Sequence, residues 1–579
     1  MVNDKHEKQG KGKRLNRRDA LMRLGLLLAI IILANVVSNF LYFRLDMTAE
    51  KRYSISKPSK ELLRNLKDEV TIKVYLTGEL NAQLERLRKS TENMLKEFRS
   101  YGGTKVEYEF FDPMSIKDLN ERKKFMMDLI QRGMSPTNSV SQTKTSKSES
   151  LVFPYAMVAY GGKEYPVNLL ENQIGYDATE IINHSEILLE YKLINAIKKL
   201  SQYRPPRIGF VEGNGELTEL ETADLKQTLE ELQYEVKRID LRTNVNIPER
   251  FDAVIVARPT IPFSEQDKFK LDQYVMRGGK VMWLMDGTNV RMDSVSMSPN
   301  GQNVEATDYN LDDQLFKYGA RINGDIVQDI GLCDEIQLVV GKVGDAPQTQ
   351  AFKWYYYPLL VSDNNHAVVR NLAPVVSHFA STVDTIRNPG VKKTILLHTT
   401  DYSKTQLSPT RVGFSILMGK PNPDYYKQPQ LPVAVLLEGE FESVFKNRLS
   451  PEFLSAIDTI DKIKFVEKSP ASKMIVIGDG DMIRNDTRSD SSVYQLGFNK
   501  YNGRLYANKE FLMNCLEYLI DDSGIFETRN KEVKVRLLDS VKANNERLKW
   551  QLLNLVLPVV IILLFAVGFN FLRRRKYAA

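Results

Sequence analysis

Two stretches of the chain hold no charged residue. Leu24–Phe43 (LGLLLAIIILANVVSNFLYF) and Leu552–Leu572 (LLNLVLPVVIILLFAVGFNFL) are each apolar almost throughout. At ~1.5 Å rise per residue, about 20 helical residues cross the ~30 Å hydrocarbon of a bilayer. The pattern therefore predicts a transmembrane helix at each end, the second interrupted by Pro558, which membrane helices tolerate. The sequence Asn39-Phe-Leu-Tyr-Phe-Arg44 has no small-residue cleavage site, so the first run reads as an uncleaved anchor.

Between the anchors the pattern switches between periods of about two and 3.6 residues. Ser56 caps a helix that Pro58 opens. Val70–Leu76 alternates as a strand, Asn81–Ser100 carries apolar residues at helical spacing, and Lys105–Phe111 is a second strand, a β-α-β unit that favours a parallel pair. A helix over 115–131 follows. Thr137–Ser150, rich in Ser, Thr and Lys, reads as an exposed loop. A hairpin turns at Gly161-Gly162, and the helix Ser185–Leu200 closes a first domain.

A second domain opens with the strand Arg207–Val211 and the turn Glu212–Glu216. The helix Thr222–Gln233 and the strands Tyr234–Asp240 and Ala253–Ala257 follow. Then come the helix Ser264–Met276, ended by Gly278-Gly279, and the strand Lys280–Met285. This order predicts a doubly wound, flavodoxin-like sheet. Beyond Cys333 the chain is richer in strands: Ile336–Val343, Val391–His398, Leu431–Glu438 and Lys473–Ile477. The helix Asn508–Leu519 and a charged amphipathic helix from Lys531 complete it.

The expected fold class is thus a multidomain α/β body with one transmembrane helix at each end. Its divisions are a basic tail (1–23), span 1 (24–43), an α/β domain (44–201), a flavodoxin-like domain (207–330), a strand-rich α/β part (331–525), a helical stalk (526–551), span 2 (552–572) and a second basic tail (573–579).

Charge gives this frame its orientation. The 579-residue chain has a formal net charge of +7. Residues 1–23 account for +5, Arg573–Lys576 for +4, and everything between for −2. A duplex-binding protein needs a basic face to displace counterions, and the body offers no net charge of that sign, so no nucleic-acid partner is expected. Basic tails beside both anchors place both termini in the cytoplasm by the positive-inside rule, with residues 44–551 outside.

Motifs that carry chemistry are few. The histidines, His6, His184, His366, His378 and His398, have no metal-pair spacing. No Gly-x-Ser-x-Gly elbow, Walker A loop or His-Glu-x-x-His occurs. Cys333 and Cys515 neither show nor exclude a disulfide.

Three constellations remain as binding candidates. Gly213-Asn214-Gly215-Glu216 ends a strand, and its N–H groups could cradle an anion; alternatively it is a glycine-dependent turn. Asp479 and Asp481, in Gly-Asp-Gly-Asp, could join a divalent-cation site given further oxygens, or merely form a turn. Trp354, Tyr355 and Tyr356, in Trp-Tyr-Tyr-Tyr-Pro, could stack on a ligand or fill a core. No nucleophile–base pair emerges, so no catalytic residue, metal or cofactor is expected.

Several segments, in order, resemble the GldG family, gliding-motility-associated ABC-transporter accessory or "substrate-binding" proteins of Bacteroidetes. They are LDMTAEKRYSIS (Leu45–Ser56), GFVEGNGEL (Gly209–Leu217), LDQYVMRGGKVMWLMD (Leu271–Asp286), LDDQLFKYGARIN (Leu311–Asn323), WYYYPLL (Trp354–Leu360), VAVLLEGEFESVFKNR (Val433–Arg448), MIVIGDGDMIRN (Met474–Asn485) and Tyr506–Arg529. Asn214 stands where relatives often have His. The resemblance implies an inner-membrane subunit with a periplasmic body, partnered by an ABC permease and, through it, a cytoplasmic ATPase. It also implies an envelope or motility-machinery partner, and an amidotransferase-like "GIFT" region lacking active-site machinery. The alternatives are an anchored periplasmic glycan- or peptide-binding protein, and a periplasmic amidotransferase-like hydrolase.

Overall fold

A computed structural model describes residues 22, 24–33, 54–142, 147–171, 177–202, 204–298, 300–343, 346–452, 455, 464–488, 492–530, 542 and 545–577. The chain divides into two compact units, Met1–Lys531 and Glu532–Ala579.

In the first unit, helix α1 (Lys57–Arg64) starts at Ser56, whose hydroxyl accepts from Ser59 N. Strand β1 (Val70–Val74), helix α2 (Ala82–Gly102) and strand β2 (Val106–Phe110) form the expected β-α-β unit, and β1 pairs with β2 in parallel. Two expectations shift here. The helix foreseen over 115–131 begins only at Leu119 (α3, Leu119–Gln131), because the Asp118 carboxylate accepts from the N–H groups of Asn120 and Glu121 and caps it there. The stretch 137–150 is not a plain loop: Thr137–Gln142 and Lys147–Val152 pair antiparallel. Ser139 and Ser150 tie this ribbon to the start of α2, through Asn81 N and Glu79 O. Strands β3 (Tyr155–Tyr160) and β4 (Lys163–Asn168) form the hairpin and complete a sheet of order β2-β1-β3-β4. Helix α4 (Ala178–Ser201), opened by an Asp177/Glu180 capping box, covers it.

The main sheet has seven strands. They are β5 (Arg207–Glu212), β6 (Glu235–Asp240), β7 (Ala253–Ala257), β8 (Val281–Leu284), β9 (Val391–His398), β10 (Pro432–Glu442) and β11 (Lys468–Ile477), in the order β6-β5-β7-β8-β11-β10-β9. The run from β6 to β11 is parallel; β10 and β9 add antiparallel neighbours. Strands on both sides of the division expected at 330 therefore pair in one sheet.

Its inner strands are apolar on both faces, as a sheet covered on both sides requires. Ile255, Met282, Leu284, Ile475 and Ile477 pack with helices α5 (Ala223–Glu231) and α7 (Asn508–Ile520). Val254, Val256, Val281, Trp283 and Val476 pack with helix α6 (Glu265–Met276) and the short helix Asp312–Tyr318. Ser264 caps α6 as foreseen, accepting from Asp267 N. A smaller core around Trp354, Tyr356, Phe379 and Val412 belongs to the strand-rich part, whose largest element is the antiparallel ribbon Cys333–Val343/Ala346–Leu360.

Leu24–Leu33 is a short apolar helix; residues 34–43 of the expected first span lie outside the described residues. In the second unit, helix α8 (Arg547–Tyr577) contains Leu552–Leu572 and Pro558. Its segment Arg547–Arg575, whose most apolar 18 residues have a mean hydropathy of 2.8, is the one helix among the described residues long and apolar enough to cross a membrane. Half of the expected stalk, 531–541 and 543–544, lies outside the described residues.

Candidate functional site

In an open parallel sheet, ligands collect outside the carboxyl ends of the strands, where strand order reverses. Here the reversal falls between β5 and β7, and the loops after those strands close it. Gly213 (φ +125°) and Gly215 (φ +73°) hold backbone conformations that suit glycine, and a Cβ on Gly215 would fall 2.2 Å from Thr260 Oγ1. The Asn214 carbonyl accepts from the N–H groups of Thr260 and Ile261, both at 2.9 Å. Asn214 N donates to Glu216 Oε2 at 2.7 Å. The chain's own carboxylate thus occupies the cradle that an external anion would need. Glu216 Oε1 and Asn214 Oδ1 are buried without a hydrogen-bond partner among the described residues. Burial pushes the Glu216 carboxyl up to about 7, against the pull of the loop's backbone N–H groups.

One step along the sheet, the ends of β7, β8 and β11 converge on an ion cluster. Arg258, directly after β7, has φ +52°, a conformation uncommon for a residue with a Cβ. Its Nε donates to Asp286 Oδ2 at 2.8 Å and lies 3.1 Å from Asp481 Oδ1. Asp286 Oδ1 accepts from Gly480 N at 2.6 Å. Asp479 is fully buried, and its oxygens accept from His378 N and Asp481 N, both at 2.8 Å.

Burial, followed by the neighbouring Asp286 and Asp481, holds the Asp479 carboxyl well above the ordinary range. Burial and Asp481 push Asp286 up to about 6, although Arg258 opposes them. Asp479 and Asp481 therefore serve this internal network. Among the described residues no group of three or more His, Cys, Asp or Glu side chains is arranged to hold a metal.

The cluster forms one wall of a cavity of about 270 Å³. Other walls come from Tyr357, His378, Asp334, Glu335 and the 495–501 loop. Asp334 is fixed there by Asn499, Asn502 and Tyr506. The His378 ring meets Tyr357 edge-on, centroids 4.4 Å apart, and burial lowers its basicity.

Alternation along the strand splits the aromatic run. Trp354 and Tyr356 point inward, 0% and 3% exposed, with Trp354 packed against Tyr356, Phe414 and Phe379. They are core side chains and present no stacking face to a ligand. Tyr355 is half-buried, and Tyr357, one residue past the foreseen triplet, is the ring that reaches the cavity.

The sequence reading missed Arg258, Asp286 and His378. The signal was available in part, since Arg258 and Asp286 each follow a strand identified as central. Both cysteines are free, and burial raises each thiol, Cys333 to about 12, so neither is poised as a thiolate.

A family model described as "ABC-type uncharacterized transport system" matches residues 205–515, and a "domain of unknown function" model matches 49–159. An uncharacterized protein of Borreliella burgdorferi is 22% identical over 569 residues, covering 97% of this chain and 99% of that one. A solved structure, the mmIFT52 N-terminal domain, is 13% identical with a TM-score of 0.30, over 54% of this chain and 96% of that one. That level of similarity carries no argument. The span 205–515 is more than half of the chain and contains every strand of the seven-stranded sheet; the protein belongs to this family of ABC-transport-system auxiliary proteins.

Proposed function

We propose that the protein is a non-catalytic inner-membrane subunit of an ABC transport complex that serves gliding motility. It contacts the permease, and through it a cytoplasmic ATPase, while its α/β body lies in the periplasm and docks an envelope partner. Both termini are cytoplasmic. The observation that carries the transport role is the family match over 205–515. The apolar helix Arg547–Arg575, bordered by Arg573–Lys576, supports a membrane anchor with a cytoplasmic C-terminus. The gliding role and the N-terminal span rest on the ordered sequence resemblance and on Leu24–Phe43. A non-catalytic role is consistent with a strand-end loop filled by its own Glu216 and with two thiols held protonated, Cys515 buried and Cys333 half-buried.

The test is affinity purification of the full chain from its native membranes in mild detergent, followed by mass spectrometry. Co-purification of an ABC permease and an ATPase in stoichiometric amounts is expected. A solitary protein, with the permease recovered elsewhere, would overturn the reading.

A further inference from the structure

We propose that the cavity at the ends of β7, β8 and β11 binds a small zwitterion of the α-amino-acid class, its carboxylate on the outer edge of the Arg258 guanidinium and its ammonium on the acidic wall that includes Glu335. The proposal does not depend on the transporter assignment, because it follows from the walls of the cavity alone.

Arg258 is only 5% exposed, yet its hydrogen bonding is one-sided. Nε serves Asp286 and Asp481, whereas Nη1 and Nη2 make no hydrogen bond among the described residues. A buried guanidinium with an open donor edge on a cavity is a fork suited to a carboxylate. Its backbone conformation, sparsely populated for arginine, is the kind of strain that persists where the surroundings enforce it. Gly480 leaves the room this side chain needs: a Cβ there would fall 2.6 Å from Arg258 Cγ.

The rest of the lining carries both signs of charge, as a zwitterion requires. Arg258 already faces two carboxylates, and Asp334, Glu335 and Asp486 line the same space. Asp486 is paired with Lys500, and Asp334 is held by Asn499, Asn502 and Tyr506, but the Glu335 carboxylate has no hydrogen bond or ion pair among the described residues. Arg291, Arg484 and Lys500 also line the cavity, Arg484 and Lys500 already paired with carboxylates, so an inorganic anion would find donors there but leave the Glu335 carboxylate unanswered. A molecule with a carboxylate at one end and an ammonium at the other meets a complement for each. At about 270 Å³ the cavity falls just below the range of ~300–1,000 Å³ of drug-sized sites, which favours a single amino acid over a long peptide. The neutral His378 ring adds one donor and one acceptor on the same wall.

The test is isothermal titration of the full-length protein in detergent with each of the twenty free L-amino acids. Acetate, methylamine and inorganic phosphate serve as probes with one kind of charge. At least one amino acid is expected to bind with Kd below ~1 mM, at least tenfold tighter than any of those three. Arg258→Lys, which loses the fork, should weaken binding tenfold or more. Glu335→Gln, at a half-exposed wall position, should do the same and keeps the test open if the Arg258 variant fails to fold. The proposal is overturned if no amino acid binds, if phosphate or acetate binds as tightly as the best amino acid, or if Glu335→Gln binds like the parent. None of these results bears on whether a permease co-purifies.

Discussion

Gly480 packs directly on the side chain of Arg258. A Cβ added at Gly480 would lie 2.6 Å from Arg258 Cγ and 2.8 Å from its Cβ, closer than packed carbons approach. Gly480 has φ −74°, so its backbone does not require glycine; the space does. Gly480→Ala should force Arg258 away from Asp286 and Asp481, leaving two largely buried carboxylates less well paired. Overpacking of this kind costs about 1–3 kcal/mol. Urea unfolding of the full chain should show the loss as a lower midpoint with an unchanged slope. A midpoint equal to the parent's would mean that Arg258 yields without cost.

A second buried ion pair joins the first domain to the sheet-bearing one. Lys199, on α4, lies 3.3 Å from Glu517 on α7, with both side chains mostly buried. Tyr191 also donates to Glu517, and Tyr234 does so at 3.4 Å. Burial pushes the Glu517 carboxyl up, but Lys199 and the hydrogen bond from Tyr191 outweigh it and hold the group below its ordinary value. Lys199→Met should therefore cost about 3–5 kcal/mol by leaving a buried carboxylate unpaired, whereas Lys199→Met with Glu517→Gln should recover much of that loss. A folded-state value below the unfolded one means that the stabilisation is complete above about pH 4.3 and fades as pH falls through the depressed value. Denaturant midpoints of the parent, the two single variants and the double variant, at pH 7 and pH 4, check both parts. Additive single effects would show that the pair is not coupled.

The reach of the sequence differs between these two features. The strands that carry the cluster end in short, continuous apolar runs, AVIVA in β7, VMWL in β8 and MIVI at the close of β11, and such runs mark fully buried strands. The caps Ser56 and Ser264 were equally legible, because a hydroxyl before an apolar-periodic segment satisfies orphan N–H groups wherever it occurs. The insertion of β11 beside β8 was not legible. Local periodicity carries no information about which distant strand supplies the neighbour, and that pairing is what brings Asp479 and Asp481 to Arg258 and Asp286. The fate of Trp354 was undecided for a related reason. An alternating aromatic run has an inner and an outer face, and only the packed structure says that Trp354 and Tyr356 take the inner one. The ribbon at 137–152 escaped because Ser and Thr are as compatible with a pinned strand as with a loop.

Glu216 gives the remaining prediction, and its direction is opposite to that of Glu517. Its carboxylate is folded back onto Asn214 N, its second oxygen is buried without a partner among the described residues, and burial raises its value from 4.5 to about 7. At pH 4 and below, folded and unfolded states are both protonated, and the group is neutral in either. Between about pH 4.5 and 7 the folded state retains a proton that the unfolded state has released, so stability falls as pH rises. Above pH 7 both states are ionised and the full desolvation cost is present, on the order of 3 kcal/mol at ~1.4 kcal/mol per pKa unit. Glu216→Gln keeps the shape and the acceptor for Asn214 N while removing the charge. The variant should unfold at a higher denaturant concentration than the parent at pH 8, and the two should converge near pH 4.5. The reverse order at pH 8 would mean that the carboxylate is stabilised as an anion by the loop's N–H groups, and that the cradle formed by Gly213–Glu216 is stronger than its burial.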